Sequence, residues 1–231
     1  MNIDLQAFFD PRQVLDNTDV LLAGAWTTIE LSVVSAVMAG VVGVILSTTR
    51  SSRWRMVSGV TRTWIELVRG TPLLVQMYLL YYGLPSLGIT LSPLVAAALA
   101  LGLNSGAYVC EILRSALTAV VRAQSESARA LGMGHAITQI RVVYPQAIPI
   151  ALPGLIGEVI DIVKWSSIAS IVVVPEATQV VSQIVAQSYR GFGIMFLTLA
   201  LFYLALTFSL STLSRRLEKR ITRYRVRVAH A

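Results

Sequence analysis

The sequence predicts an all-α polytopic membrane protein with five transmembrane helices, its N-terminus outside and its C-terminus in the cytoplasm. The first observation is composition, since 55% of the 231 residues are hydrophobic, 13% are charged and the mean hydropathy is +0.68, too apolar for a soluble domain. The second is a series of long uncharged runs, and the third is the uneven distribution of basic residues between the segments that connect them. Residues 1–231 are therefore expected to form a single transmembrane domain, with no room for a soluble enzyme domain.

Each span is placed on an apolar run, because roughly 20 residues cross about 30 Å of hydrocarbon. The uncharged run from Gly70 to Cys110 would reach about 60 Å as one helix, so it must fold back. The breakers in Gly83–Gly88 predict a hairpin, followed by a helix with Pro93 in its first turn. The part of this run before the hairpin is too short to cross the membrane alone, so the second span must include residues from Thr63 onward. The predicted spans are 20–49, 63–84, 92–113, 147–174 and 191–214.

The basic residues predict the orientation, because short loops rich in Lys and Arg stay in the cytoplasm. Sixteen of the 19 basic residues fall within 50–69, 114–141 and the C-terminal tail 215–231. Only Arg12 and Arg190 fall on the opposite side, and Lys164 lies within a span. The tail is also expected to contact anionic lipid headgroups.

Several function classes are excluded by what the sequence lacks. With one cysteine, Cys110, and two histidines, His135 and His230, we expect neither an internal disulfide nor a His/Cys metal cluster. Neither lysine follows a glycine, so there is no phosphate-binding loop of the G-x-x-x-x-G-K-[ST] type, and no catalytic motif is present. We expect no bound cofactor, no metal, no nucleic-acid partner and no enzymatic activity in this chain. Any ATP-driven work would be done by another subunit.

A polar connection at residues 115–145 joins the third and fourth predicted spans. It contains a short predicted helix that ends near Gly132 and Gly134. Small residues on such a helix permit the close approach of a partner. This pattern alone is compatible both with a helix that docks into a partner and with a solvated linker helix.

At this loop the sequence resembles the membrane permeases of ATP-binding-cassette (ABC) importers, in particular the bacterial polar amino acid permeases. That superfamily's signature is E-A-A, three residues, G, nine residues and I-x-L-P. Here it stands, with its spacings kept, as Glu126-Ser127-Ala128, Gly132 and Val142-Val143-Tyr144-Pro145. Matches to the amino acid branch are found in Arg69–Gln76, Tyr81–Pro85 and Leu103–Glu111, and the resemblance runs from about Trp26 to Glu218. Ser127 replaces the alanine that is usual at the second position of the signature, and Trp165, after Lys164, replaces an aspartate that is common in the branch.

The resemblance implies a permease subunit of the bacterial inner membrane that imports polar amino acids or amino-acid-like solutes. The implied partners are two ATPase subunits that use ATP and Mg²⁺, an external solute-binding protein, and a second permease copy or a paralogue. Glu126, Ser127, Ala128 and Gly132 would couple transport to the ATPase. A secondary transporter or channel for a small polar solute is the alternative, although it usually needs more spans or an internal repeat.

Charged residues inside the predicted spans are the candidates for the substrate path. Glu158, Asp161 and Lys164 lie at spacings of three on the fourth span, where Asp161 can pair with Lys164, and they should face an interior rather than lipid. Glu66 and Arg69 are able to meet on one helix face at the membrane boundary. In both groups the charges either stabilise the helices or border the substrate route, where Glu158 and Asp161 would attract a cationic group.

Overall fold

The computed structural model describes residues 8–120, 122–188 and 190–229, and the side chains of 8–120, 124–188 and 190–219. This part of the chain is helical and contains no β-strand. The helices are α1 Arg12–Asp16, α2 Thr18–Arg50, α3 Arg55–Gly70, α4 Leu73–Tyr78, α5 Pro93–Ala119, α6 Arg122–Ala130, α7 His135–Thr138, α8 Tyr144–Trp165, α9 Ala177–Ser188 and α10 Phe192–Ala229.

Four helical segments of the described chain are long and apolar enough to cross a membrane, namely Thr18–Arg50, Pro93–Ala119, His135–Val172 and Phe192–Lys219. They correspond to the first, third, fourth and fifth predicted spans. The all-helical fold is therefore confirmed.

The second predicted span, residues 63–84, is not one helix, and a fifth span is therefore not confirmed. Helix α3 ends at Gly70, and a separate apolar segment, Leu73–Leu87, begins after Pro72, whose ψ of 137° is extended. Proline has no N–H to donate and also disfavours the helical conformation of the residue before it, here Thr71. The 15-residue segment after the break reaches only about 22 Å.

The hairpin and the connection between the third and fourth spans lie where predicted, with different bounds. Gly88 has a φ of +81°, the left-handed region that glycine adopts without strain, and α5 begins at Pro93. Helix α5 continues to Ala119 and the next long helical segment begins at His135, so the connection is about half as long as the predicted 115–145. A π-helical turn at Gln139–Val143 precedes Pro145 and carries the helix past that proline.

The chain forms two compact units. The first comprises residues up to 38, 71–102 and 160–209. Its core consists of apolar side chains from α2, α4, α5 and the 3₁₀ turns after α8, among them Leu31, Met77, Leu101, Ala169 and Val172. Trp165 packs against this core, so the residue that departs from the family pattern has a structural role.

The second unit comprises residues 39–70, 103–159 and 210 onward. Ile65 of α3 packs against Ala107 and Cys110 of α5, with Leu46 of α2 at the edge of the cluster. Gly106 allows α2 and α5 to pack closely, since an added Cβ would lie 2.5 Å from a methyl group of Val42. Apolar residues of α5 and α8, including Ala116, Ala147 and Ala151, form a further cluster.

Candidate coupling helix and intramembrane charge groups

Helix α6, Arg122–Ala130, contains Glu126-Ser127-Ala128, the first part of the motif that resembles the permease signature, and is ended by Gly132. The N–H of Gly132 donates to the carbonyl of Arg129 at 3.0 Å, and the N–H of Met133 donates to the carbonyl of Ala128 at 3.1 Å. These two bonds, with a φ of +83° at Gly132, form a Schellman cap. The glycine stop that the sequence predicts is therefore confirmed, and any side chain at this φ would be strained.

The α6 side chains divide into a packed side and an exposed side. Ala128 is buried, while Glu126 and Ser127 are exposed, and α6 packs against α7 and the π-helical turn after it. Leu131 is 85% exposed, and Ile137 and Ile140 are also exposed. The loop therefore presents a carboxylate at Glu126 and an exposed apolar side chain at Leu131, groups that a partner protein can bind.

The predicted charge stripe of the fourth span lies on α8. Glu158 is buried, at 7% exposure, as expected for a charged residue facing away from lipid. Lys164 Nζ lies 2.6 Å from Asp161 Oδ1, so the predicted pair forms. The Lys164 and Asp161 side chains are 53% and 40% exposed in this single chain, so solvent or another molecule can reach them.

A pocket of about 390 Å³ lies beside Lys164 in the first unit. It opens between the end of α8, the start of α9 and one face of α10. Its walls combine an ammonium group and three hydroxyl groups with an aromatic ring and aliphatic side chains, contributed by Lys164, Ser167, Thr178, Phe196, Leu199, Ala200 and Tyr203. A solute with both a polar and an apolar part would match this lining.

Glu176, which the sequence interpretation did not select, stabilises one wall of that pocket. Its carboxylate accepts hydrogen bonds from the N–H groups of Thr178 and Gln179 at 2.9 and 2.8 Å, which caps α9, and from the Tyr203 hydroxyl at 2.9 Å. Burial raises the pKa of the Glu176 carboxyl, and these hydrogen bonds act in the opposite direction. The signal that could have revealed it is an acidic residue directly after Pro175 and before an amphipathic helix.

A second charge group, which we call the arginine cluster, consists of Arg50, Arg69, Arg114 and Glu111. Glu111 forms ion pairs with Arg50 and with Arg114, whose Nε lies 2.9 Å from Oε2, and Arg69 Nη1 lies 3.7 Å from Oε1. The Arg69 guanidinium also lies over the Tyr108 ring, 5.0 Å from its centroid. The nearest carboxylate contact of Arg69 in the described residues is with Glu111 on another helix, and not with Glu66, which its spacing allows it to meet.

Comparison with known proteins identifies the class. Residues 26–223 match the family of binding-protein-dependent transport system inner membrane components. The chain belongs to this family and is a multi-pass inner membrane protein rather than an enzyme in its own right.

Individual relatives cover nearly the whole chain. The L-cystine transport system permease protein TcyB of Bacillus subtilis is 32% identical, over 89% of this chain and 88% of that protein. The nopaline transport system permease protein NocM of Agrobacterium fabrum is 36% identical, over 88% of both. A crystal structure of an amino acid ABC transporter with histidines superposes with a TM-score of 0.87 at 33% identity, covering 95% of this chain and 100% of the other.

Proposed function

We propose that this chain is one of two permease subunits of an importer for amino acids or amino-acid-like solutes, driven by a pair of separate ATPase subunits. The observation that carries the proposal is the exposed, Schellman-capped helix α6 at the position of the family signature. The amino-acid-type relatives support the substrate class. Family membership also argues against the alternative of a secondary transporter or channel.

The proposed mechanism is a population shift between two states of the membrane helices. ATP and Mg²⁺ would bind in the partner ATPase, whose closure moves the docked α6 helices and favours the outward-facing state. Glu126 would pair with a group of the ATPase, with Ser127 and Ala128 permitting close contact. Gly132 would hold the angle at which α6 leaves the loop. Solute would arrive on an external binding protein.

We place the substrate route beside the α8 stripe. Glu158 and Asp161 would attract the ammonium or other cationic group of the solute, and Lys164 would balance the local charge and lie within reach of a solute carboxylate. The pocket beside Lys164 offers hydroxyl and apolar groups for the remainder of the solute. Glu66 and Arg69 are weaker candidates for this route, because both lie on α3 and Arg69 is directed to Glu111.

The orientation also belongs to this proposal, with the N-terminus outside and α6 in the cytoplasm. Single cysteines would be introduced at Asp16, Ser86 or Ser125 in a background in which the buried Cys110 is replaced by alanine. An impermeant thiol reagent added to sealed cells should label the first two and not the third. External labelling of the Ser125 position would overturn the orientation and the docking role of α6.

The function is tested by purification and reconstitution. An affinity-tagged chain should copurify with an ATPase. The complex in proteoliposomes, supplied with its binding protein, should import a labelled amino acid only when ATP is present on the side of the membrane that the ATPase subunits face. A Glu126→Gln variant keeps side-chain size and polarity but loses the charge, so it should import less solute per ATP hydrolysed than the wild type. Uptake driven by an ion gradient without ATP, or purification with no ATPase, would contradict the proposal.

A further inference from the structure

The arginine cluster carries more positive charge than its carboxylate can balance. Three guanidinium groups from three helices meet one carboxylate, so the group has a net charge of +2. No other ion pair joins these arginines in the described part of the chain. The Glu111 side chain is 19% exposed, while those of Arg69 and Arg114 are 41% and 48% exposed and keep N–H groups that can donate to a further acceptor.

The cluster lies near one end of the membrane-spanning helices, where lipid headgroups are found. Arg50 is the last residue of α2, and Glu111 and Arg114 belong to the last third of α5. Trp54, beside the start of α3, is 76% exposed, and exposed tryptophan is typical of the membrane–water interface.

Helix α3 has the amphipathic pattern of a helix at that interface. Arg55, Arg62 and Arg69 are spaced seven apart and so share one stripe, and all three are exposed. A second exposed stripe is apolar and contains Met56, Val60 and Leu67. A helix with separate basic and apolar exposed faces binds anionic membranes through both charge and apolar contact.

We propose that the arginine cluster binds the phosphate group of an anionic phospholipid, which supplies the negative charge that Glu111 alone does not. Paired guanidinium groups match a phosphate diester, because each presents two N–H donors in a planar fork. Arg69 and Arg114 are the direct ligands because they are the more exposed. Arg50, whose side chain is 18% exposed, orients Glu111 between them. The inference concerns the lipid around the permease and does not depend on the identity of the transported solute.

The test measures binding of phosphatidylglycerol to the purified full transporter complex. The complex is exchanged into nanodiscs of phosphatidylcholine alone or of phosphatidylcholine with a quarter phosphatidylglycerol, and the lipids retained after delipidation are quantified by mass spectrometry. Thermal stability of the permease is followed in parallel. The wild type should retain phosphatidylglycerol selectively and unfold at a higher temperature in its presence.

The decisive variant is Arg69→Gln with Arg114→Gln, and Arg53→Gln is the matched control. Arg53 is an exposed arginine in the loop before α3 and makes no ion pair in the described part of the chain. Selective retention of phosphatidylglycerol should fall about tenfold in the double variant, as expected from losing charge-assisted hydrogen bonds worth about 1.4 kcal/mol, and should be nearly unchanged in the control. Replacing both residues by lysine should give an intermediate result, because the charge stays while the planar fork is lost.

Three outcomes would overturn the proposal. Equal stabilisation by inorganic phosphate in phosphatidylcholine discs would show a free-anion site instead of a lipid site. A carboxylate of a partner subunit found on Arg69 or Arg114 by cross-linking would show a protein contact. Equal retention of both lipids by the wild type would show that the cluster does not select an anionic phospholipid. The last measurement needs no variant, so a misfolded double variant does not affect it.

Discussion

The two charge groups on the membrane helices differ in how their members are brought together. Asp161 and Lys164 lie three apart on α8, and their charges cancel. Arg50, Arg69 and Arg114 converge on Glu111 from three different helices, and their charges do not cancel. The first group is set by helix periodicity alone. In the second group only the Glu111–Arg114 pair is local to one helix, and the contacts of Arg50 and Arg69 exist only after the helices of the unit have packed.

This difference separates two uses of charge inside a membrane protein. A local pair can form before tertiary packing, so it can open and close with little effect on the fold, which suits a substrate route. A convergent cluster stabilises the packing of α2, α3 and α5, and removing its only carboxylate leaves three like charges close together. The two groups are therefore expected to differ in what their removal does to stability and to transport.

The largest expected effect on stability is that of Glu111→Ala. Removing one partner of a partly buried charge group leaves the others uncompensated, and we expect a loss of about 2 kcal/mol after allowing for the exposure of the arginines. The check is thermal unfolding of the purified complex. Asp161→Asn is the comparison and should cost at most about 1 kcal/mol, since its ion pair is half exposed. Equal losses in the two variants would remove the distinction between the groups.

The largest expected effect on transport belongs to the α8 stripe. Glu158→Gln and Asp161→Asn keep size and hydrogen-bonding capacity, so each should lower ATP-driven uptake at least about tenfold, the effect of losing one charge interaction of about 1.4 kcal/mol. Protein level and basal ATPase activity should stay near normal. Asp19→Asn, an exposed acid at the start of α2, serves as the control. If uptake falls only in step with the amount of assembled protein, the stripe is structural.

A smaller effect is expected at the end of α6. Gly132 has a positive φ and no atom within 4 Å of an added Cβ, so Gly132→Ala is strained by its backbone alone, by about 1–2 kcal/mol. Hydrogen exchange of the α6 amides should become faster, and uptake per ATP should decrease. Gly134 also lies in open space but has a φ of −62°, so Gly134→Ala is the matched control and should behave like the wild type. Similar exchange rates in the two variants would show that the cap does not stabilise α6.

The sequence predicts those features that depend on neighbours along the chain. Periodicity and apolar length predict four of the helical segments, the glycine and proline pattern predicts the turns at Gly88 and Gly132, and spacing predicts the Asp161–Lys164 pair. The break at Pro72 could not be predicted, because an uncharged run indicates burial in lipid but does not show whether the helix is continuous. Neither the convergence of Arg50 and Arg69 on Glu111 nor the hydrogen bond from Tyr203 to Glu176 could be predicted. The two residues in each of these contacts lie 27 or more positions apart in the sequence.

The most direct test of the account is the ratio of ATP hydrolysed to solute imported by the reconstituted complex carrying Glu126→Lys. The exposed Glu126 carboxylate is proposed to pair with the ATPase, so reversing its charge should weaken assembly or leave hydrolysis running without uptake, while insertion in the membrane is normal. Asp16→Lys, a charge reversal outside α6, should keep the wild-type ratio. A wild-type ratio and wild-type ATPase content in the Glu126→Lys complex would contradict the assignment of α6 as the coupling helix.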